Sequence, residues 1–380
     1  MQYDFDQLIS RKDTGSLKWD KYRNTDILPF WVADMDFAVA PEIQQALVDR
    51  ISHPVFGYTQ ASDELVDALI HHLQQIYGWT IQPDWLVWMP GVVPALSACC
   101  RAYLQPGDQV MTHTPIYHHF FQVHDPDKNE LLQVPLHKID DRWTFDLDAM
   151  EAVMTPATRL IMLCSPHNPT GTVFTQEELD SLLALAKKYD AVVASDEIHC
   201  GLVLNPDTPH TPTAKASPQY ADSVVTLMSQ SKTFNLAGMN CSFAIISNPE
   251  LRQRFEAAKV EVVSGPGTLS YASAEAAFAK GEPWRQALLD YLRENYALLE
   301  REMATLPGLQ LQRCDATYLA WIDATELGLD NVAHYLEQHG IGLSAGEQFG
   351  QPGFVRLNFA CPRTTLEEGI SRIRRALSKL

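Results

Sequence analysis

A lysine placed directly after a buried strand is rarely there for solubility alone. Lys232 follows the apolar run VVTLM and sits in SQSKTFNLAG (residues 229–238), with hydroxyls at Ser229 and Ser231. Hydroxyls beside a cation suit a phosphate, and a desolvated lysine with a lowered pKa suits Schiff-base chemistry. Three more polar groups precede it. Asp196 stands at the end of an apolar run in SDEIH (residues 195–199), Asn168 lies in SPHNPTG (165–171), and GVVPAL (91–96) leaves the amides of Gly91, Val92 and Val93 free at a helix start. Such amides are a ready anion site. Taken singly, each has a plainer reading. A lone Asp after a strand is usually a helix cap, SPHNPTG is a strand-to-helix turn, and Ser-x-Ser-Lys is a short, common word. Their order along the chain is more specific than any one of them.

Those groups must be held by regular elements, and the hydrophobic pattern supplies them. Helices are predicted from Pro41 to Ile51, from Glu64 to Tyr77 with Gly78 closing it, from Pro94 to the Pro106-Gly107-Asp108 turn, and from Thr175 to Lys188. Short apolar strands are predicted at 85–91, 109–112, 131–136, 159–164, 191–195, 223–228 and 242–246. All-apolar strands alternating with helices imply an α/β fold whose mainly parallel sheet is covered on both faces. Ligands of such sheets gather at the carboxyl ends of the strands, where the four polar segments fall. Beyond residue 280 come long helices rich in Leu, Glu and Arg, a strand-like TYLAWID (317–323) and a last helix from Thr365. The division expected is a large α/β domain over residues 41–280 and a small α+β domain made of 1–40 plus 281–380.

Composition narrows the classes. The 380 residues carry 29 Lys plus Arg against 47 Asp plus Glu, a net charge of -18. That field repels polyanions, so nucleic acid and anionic membrane are disfavoured as partners. The first residues alternate in charge and do not form a secretory signal. The longest uncharged runs, such as 233–249, fall short of a membrane span. Seven scattered cysteines without a CxxC pair argue against a disulfide framework or a thiolate zinc site and point to a reducing, cytoplasmic compartment.

A helix-start amide cup, a loop Asn, a strand-end Asp and then Ser-x-Ser-Lys is the order of pyridoxal phosphate (PLP) ligands in fold-type I aminotransferases. Over essentially its whole length the chain resembles the MalY/PatB-type cystathionine β-lyases of that superfamily. The resemblance rests on LPFWVADMDF (28–37), FGYT (56–59), PGVVPAL (90–96), TPIY (114–117), SPHNPTG, SDEIH, SKTFNLAG, ATYLAWID (316–323) and FVRLNFACPR (354–363). It implies that Lys232 holds PLP as an imine and, once freed, removes the substrate Cα proton, while Asp196 pairs with the pyridine nitrogen. Asn168 would donate to the phenolic oxygen, with His199 as a second partner where many relatives have Tyr. Ser229, Ser231 and the amides of Gly91, Val92 and Val93 would hold the phosphate. Tyr117 would stack on the ring or serve as a core aromatic, and Arg356 would clamp the substrate carboxylate. The resemblance further implies a homodimer, in which Tyr58 reaches the phosphate of the neighbouring subunit. Some aminotransferases have Arg eight residues after the lysine; here that position is Asn240, leaving the phosphate with less charge compensation.

The activity implied is elimination from a small sulfur amino acid such as L-cystathionine. A PLP-dependent aminotransferase is the alternative, and a PLP-binding protein acting through a partner is a third reading, opposed by the intact Lys232, Asp196 and Arg356. Other groups fit less well. His113, His118, His119 and His124 match no standard zinc spacing, so no metal is expected. GPG (265–267) lacks the preceding strand of a dinucleotide site. Asp34 and Asp36 could mimic an acid pair, but the resemblance makes their segment an active-site loop.

Overall fold

The computed structural model describes residues 3–380. Seven strands form the main sheet: β1 (Leu86–Met89), β2 (Gln109–Thr114), β3 (Glu130–Pro135), β4 (Thr158–Cys164), β5 (Val192–Asp196), β6 (Val224–Met228) and β7 (Ser242–Ile245). Their spatial order is β1-β7-β6-β5-β4-β2-β3. The four pairings from β6 to β3 are parallel, and β7 runs antiparallel to both of its neighbours. The two reversals return β1 to the direction of β6, so six carboxyl ends share one edge. Alternate residues feed two apolar layers. Ile161, Leu163 and Val193 pack on one face, and Leu160, Met162, Ala194, Val225 and Leu227 on the other. Burial on both faces explains why VVTLM and RLIMLC read as unbroken apolar runs.

Helices α1 (Pro41–Ser52), α2 (Asp63–Tyr77), α3 (Val92–Tyr103), α4 (Gln176–Lys188), α5 (Pro249–Val262) and α6 (Thr268–Lys280) accompany this sheet. A second sheet of four short antiparallel strands comprises β8 (Gln310–Leu311), β9 (Leu319–Asp323), β10 (Ser344–Ala345) and β11 (Phe354–Asn358), ordered β8-β9-β11-β10. It shares an apolar core with α7 (Glu282–Met303), α8 (Arg363–Leu377) and the N-terminal residues Phe5, Phe30 and Phe37.

The boundaries differ from the sequence reading where capping decides them. Helix α3 starts at Val92 with Gly91 as its N-cap, two residues before the predicted Pro94, so Val92 and Val93 form its first turn. Proline is accepted there because a first-turn N–H has no intrahelical partner to lose. Helix α2 opens at Asp63, because the Ser62 hydroxyl accepts from the Leu65 amide. Helix α8 opens at Arg363, not Thr365, directly after Pro362. GPG leads into α6, with Gly267 as its N-cap, a helix that the sequence reading did not mark.

Candidate active site

The strand ends open on one cavity of about 530 Å³. Five of the seven strands lead directly into a specific group there. Tyr117 lies beyond β2, Asn168 beyond β4, Asp196 at the tip of β5, Ser229, Ser231 and Lys232 beyond β6, and Gly91, Val92 and Val93 at the N-cap and first turn of α3, just after β1. Arg356 enters from β11 of the second sheet, and Trp31, Val32 and Ala33 from the N-terminal loop. Two glycines permit this convergence. A Cβ on Gly171, whose φ is +70°, would stand 2.6 Å from Cys314 Sγ and 3.1 Å from the Ala316 carbonyl, so the SPHNPTG loop packs tightly on the segment that joins β8 to β9. A Cβ on Gly201 would stand 2.4 Å from the hydroxyl of Thr233, the neighbour of Lys232.

Lys232 Nζ donates to the Ala33 carbonyl at 2.7 Å, which also accepts from the Tyr318 hydroxyl at 3.0 Å. Burial lowers its pKa to about 8; the carboxylates of Asp34 and Asp196 oppose that shift and Arg356 adds to it. Asp196 is 5% exposed and accepts one chain hydrogen bond, from the Ile198 amide at 3.1 Å. Burial pushes its carboxyl up to about 7. A cation seated against the carboxylate would reverse that shift.

Arg356 is also buried, and no Asp or Glu pairs with it among the described residues. Its Nη1 donates to Asn168 Oδ1 and its Nη2 to the Trp31 carbonyl, both at 2.9 Å, and the guanidinium lies 4.7 Å from the centre of the Phe349 ring. Burial lowers its pKa to about 10. A buried cation lacking an anion is costly, so the site is prepared for an anionic ligand. The bond to Arg356 also orients Asn168, whose Oδ1 is taken while its Nδ2 makes no hydrogen bond among the described residues. His199 is 2% exposed and held well below its ordinary pKa by burial, with the charges of Lys232 and Arg356 adding to the effect. It is therefore neutral, and its Nδ1 has no partner among the described residues.

The phosphate-type end is built from neutral donors. The amides opening α3 have no side-chain cap, and Ser231 faces the cavity. Ser229 contributes more to shape: its Oγ donates to the Cys241 carbonyl at 2.6 Å and accepts from the Ser231 amide at 3.0 Å. Asn240, with φ +48°, completes this end of the lining. The residues present fit a phosphorylated pyridine aldehyde: neutral phosphate donors at one end, a buried carboxylate for a ring nitrogen, and an amine for the aldehyde carbon. Tyr117 is partly buried beside His118 and His119, on the cavity wall.

Tyr58 is the candidate that this chain does not bring in. It is fully exposed and absent from the cavity lining. The four histidines also separate. His113 is buried in β2, with Nε2 3.3 Å from Met150 Sδ, whereas His118 and His119 line the cavity. Among the described residues no three His, Cys, Asp or Glu side chains form a metal-binding group.

Sequence reasoning missed the backing of the N-terminal loop. Asp36 is buried and accepts from Lys18 Nζ, Arg11 Nη1 and Trp19 Nε1, each at 2.8 Å. Burial alone would raise its pKa, but those donors hold it below the ordinary value. Asn358 Nδ2 donates to the carbonyls of Val32 and Asp34, both at 2.6 Å. These partners are remote in sequence, and no spacing rule marks them.

The chain matches the aminotransferase class I and II family over residues 25–373. It is 36% identical to the cystathionine beta-lyase PatB of Bacillus subtilis (strain 168), covering 98% of this chain and 100% of the relative. Among solved structures, OvoB superposes with a TM-score of 0.97 at 44% identity, with all of both chains covered. The PLP-bound C-S lyase from Staphylococcus hominis gives a TM-score of 0.92 at 32% identity, over 99% of this chain and 98% of that one.

Proposed function

The chain belongs to the aminotransferase class I and II family, and on that footing we propose a carbon–sulfur lyase of the cystathionine β-lyase type. Its reaction is α,β-elimination from L-cystathionine or a related S-substituted L-cysteine, giving a thiol, pyruvate and ammonia with uptake of water. Pyridoxal 5′-phosphate is the cofactor, and when bound it supplies the electron sink that lets a Cα proton leave near neutral pH. The observation that carries the reading is the convergence of Lys232, Asp196 and Arg356 on one cavity, in a chain similar over its full length to a cystathionine β-lyase.

Arg356 binds the substrate α-carboxylate, since a guanidinium fork matches it bidentately and the buried cation gains its missing anion. Asn168, tied to the same guanidinium, would offer its Nδ2 to the phenolic oxygen, with His199 as a second partner. Asp196 would keep a proton on the ring nitrogen through a charge-assisted hydrogen bond. Lys232 Nζ, once free, would take the Cα proton. Tyr117 would cover the ring, and Ser231 with the amides of Gly91, Val92 and Val93 would hold the phosphate while Ser229 braces the loop. The sulfur then leaves as a thiolate, a good leaving group because its conjugate acid has a pKa near 8.5.

Residues 41–280 form the large domain in this reading, and residues 1–40 with 281–380 the small one, with Arg356 carried on the small one. The unit is a homodimer. Val55, Phe56 and Tyr58 are exposed together, which supports a second copy covering them and receiving Tyr58 at its phosphate end. Seven unpaired, buried cysteines support a cytoplasmic setting. Among the described residues no helix is long and apolar enough to cross a membrane.

Product analysis with L-cystathionine tests the reaction. Pyruvate and homocysteine in equal amounts are expected, with far slower turnover of L-alanine plus an oxo acid. Rapid transamination without thiol release would replace the lyase by an aminotransferase. Borohydride reduction of the yellow holoenzyme should fix the cofactor on Lys232, and Lys232→Ala should abolish turnover. A label on another lysine would overturn that assignment.

A further inference from the structure

The elimination assigns work to most of the cavity lining but leaves the His118–His119 pair without any. These two imidazoles stand on the wall beside Tyr117, with ring centres 4.3 Å apart from each other and 4.6 Å from Tyr117 to His118. They share the lining with Leu17, Trp31, Gln348 and Arg356. This is the part of the cavity left for the group that a substrate carries on sulfur, once Arg356 takes the α-carboxylate and Lys232 faces Cα.

The two nitrogens of His118 are unequal. Nδ1 is enclosed by protein and has no hydrogen-bond partner. Nε2 makes no hydrogen bond among the described residues and is not among the enclosed atoms, so in a residue that lines the cavity it is the polar atom left available. A neutral imidazole has one proton to place. An orphaned buried N–H is rarer and costlier than an orphaned lone pair, so the proton belongs on Nε2 and the lone pair on Nδ1. The ring is neutral at physiological pH: burial first, then His119 and Arg356, lower its pKa to about 4. His118 is thus a fixed, uncharged donor. Asp196 is the only carboxylate in the described lining, and it belongs to the ring-nitrogen end, so no acid competes for that proton.

We propose that His118 is a specificity-determining residue whose Nε2–H reads the substituent on sulfur, favouring S-substituted cysteines in which that substituent presents a hydrogen-bond acceptor. The inference rests on the lyase reading for the identity of the bound amino acid. It goes beyond that reading by assigning a class of leaving group and the atom that selects it.

A matched pair of probes isolates the contact: S-(2-pyridyl)-L-cysteine, with a ring nitrogen as acceptor, and S-phenyl-L-cysteine, of the same shape without one. Thiol release (kcat/KM) and binding (absorbance titration of the holoenzyme) are measured for both, in wild type, His118→Phe and His118→Gln. Intrinsic leaving-group differences persist in every variant, so the pyridyl-to-phenyl ratio is what counts. In His118→Phe the ratio should fall roughly 3- to 10-fold, the scale of one neutral hydrogen bond. In His118→Gln, whose amide nitrogen can occupy the place of Nε2, it should return toward the wild-type value. A ratio that is unchanged in His118→Phe, including one unchanged because both probes weaken equally, would overturn the proposal and leave His118 a packing residue. If wild type released thiol neither from the probes nor from L-cystathionine, the lyase reading would fail, and the binding ratio would still decide the role of His118.

Discussion

The reactivity of Lys232 is a matter of desolvation working against two nearby acids. Burial favours the free amine, while the carboxylates of Asp34 and Asp196 favour the ammonium, and burial wins, bringing the pKa from 10.5 to about 8. The sign follows directly. A lowered lysine pKa means that the nucleophilic amine appears as pH rises through about 8, two to three units earlier than for an exposed lysine. Recombination of apoenzyme with PLP, followed by absorbance in a stopped-flow instrument, should accelerate with pH to a plateau with its midpoint near 8. Replacing Asp34 by Asn removes an anion that favours the ammonium, so the midpoint should move lower. A wild-type midpoint near 10.5 would contradict the burial argument.

At the scale of elements, the loop before α1 is positioned by one side chain of the Lys232 segment. Asn235 Oδ1 accepts from the Met35 amide at 3.0 Å, and its Nδ2 donates to the carbonyls of Met35 at 3.1 Å and Phe37 at 2.9 Å. The residue has φ +57°, a conformation that Asn tolerates better than most. Asn235→Ala forfeits three hydrogen bonds and strains the backbone, for a loss of about 4 kcal/mol in holoenzyme unfolding, at ~1 kcal/mol per bond and ~1 kcal/mol of strain. Asn235→Gly loses the same bonds without the strain, so it should be the less damaged by about 1 kcal/mol. In both variants KM should rise, because the loop carries Trp31, whose carbonyl orients Arg356. Equal stability of the two variants in denaturant titrations would remove the strain from this account.

For the whole molecule, the exposed Tyr58 and its apolar neighbours decide whether one chain suffices. The phosphate end within a single chain has amides, Ser231 and Asn240 but no arginine, so a phenol from a second copy is worth more there than in a site already holding a full cation. Tyr58→Phe should weaken PLP retention by roughly 1 kcal/mol or somewhat more, about 5- to 20-fold in the dissociation constant. Dialysis against PLP-free buffer, with sedimentation to check that the variant stays dimeric, measures it. Unchanged retention in an intact dimer would take Tyr58 out of the site. A wild-type monomer that kept PLP and full turnover would contradict the shared site altogether.

How much could be read in advance depended on whether the information was local. The all-apolar runs of β4 and β6, the capping Thr175 with Glu178 at α4, and the segments bearing Asn168, Asp196 and Lys232 are contiguous in sequence. Strand burial on two faces and the rule that ligands gather at carboxyl ends then suffice to group them. The antiparallel insertion of β7 between β1 and β6 could not be read, because a buried strand has the same apolar composition in either direction. Nor could the Lys18–Asp36 pair, the hold of Asn358 on residues 32 and 34, or the separation of His113 from His118 and His119. Each of those depends on which side of a strand or loop faces which neighbour. The residues around Lys232 and the helix-start amides suggested amine and phosphate chemistry by type, while the role of Asp196 followed from the family resemblance that the order of the segments carries. Only the tertiary fold left Arg356 without an acid partner and turned His118 toward the cavity, because burial and partnership are properties of packing and not of spacing.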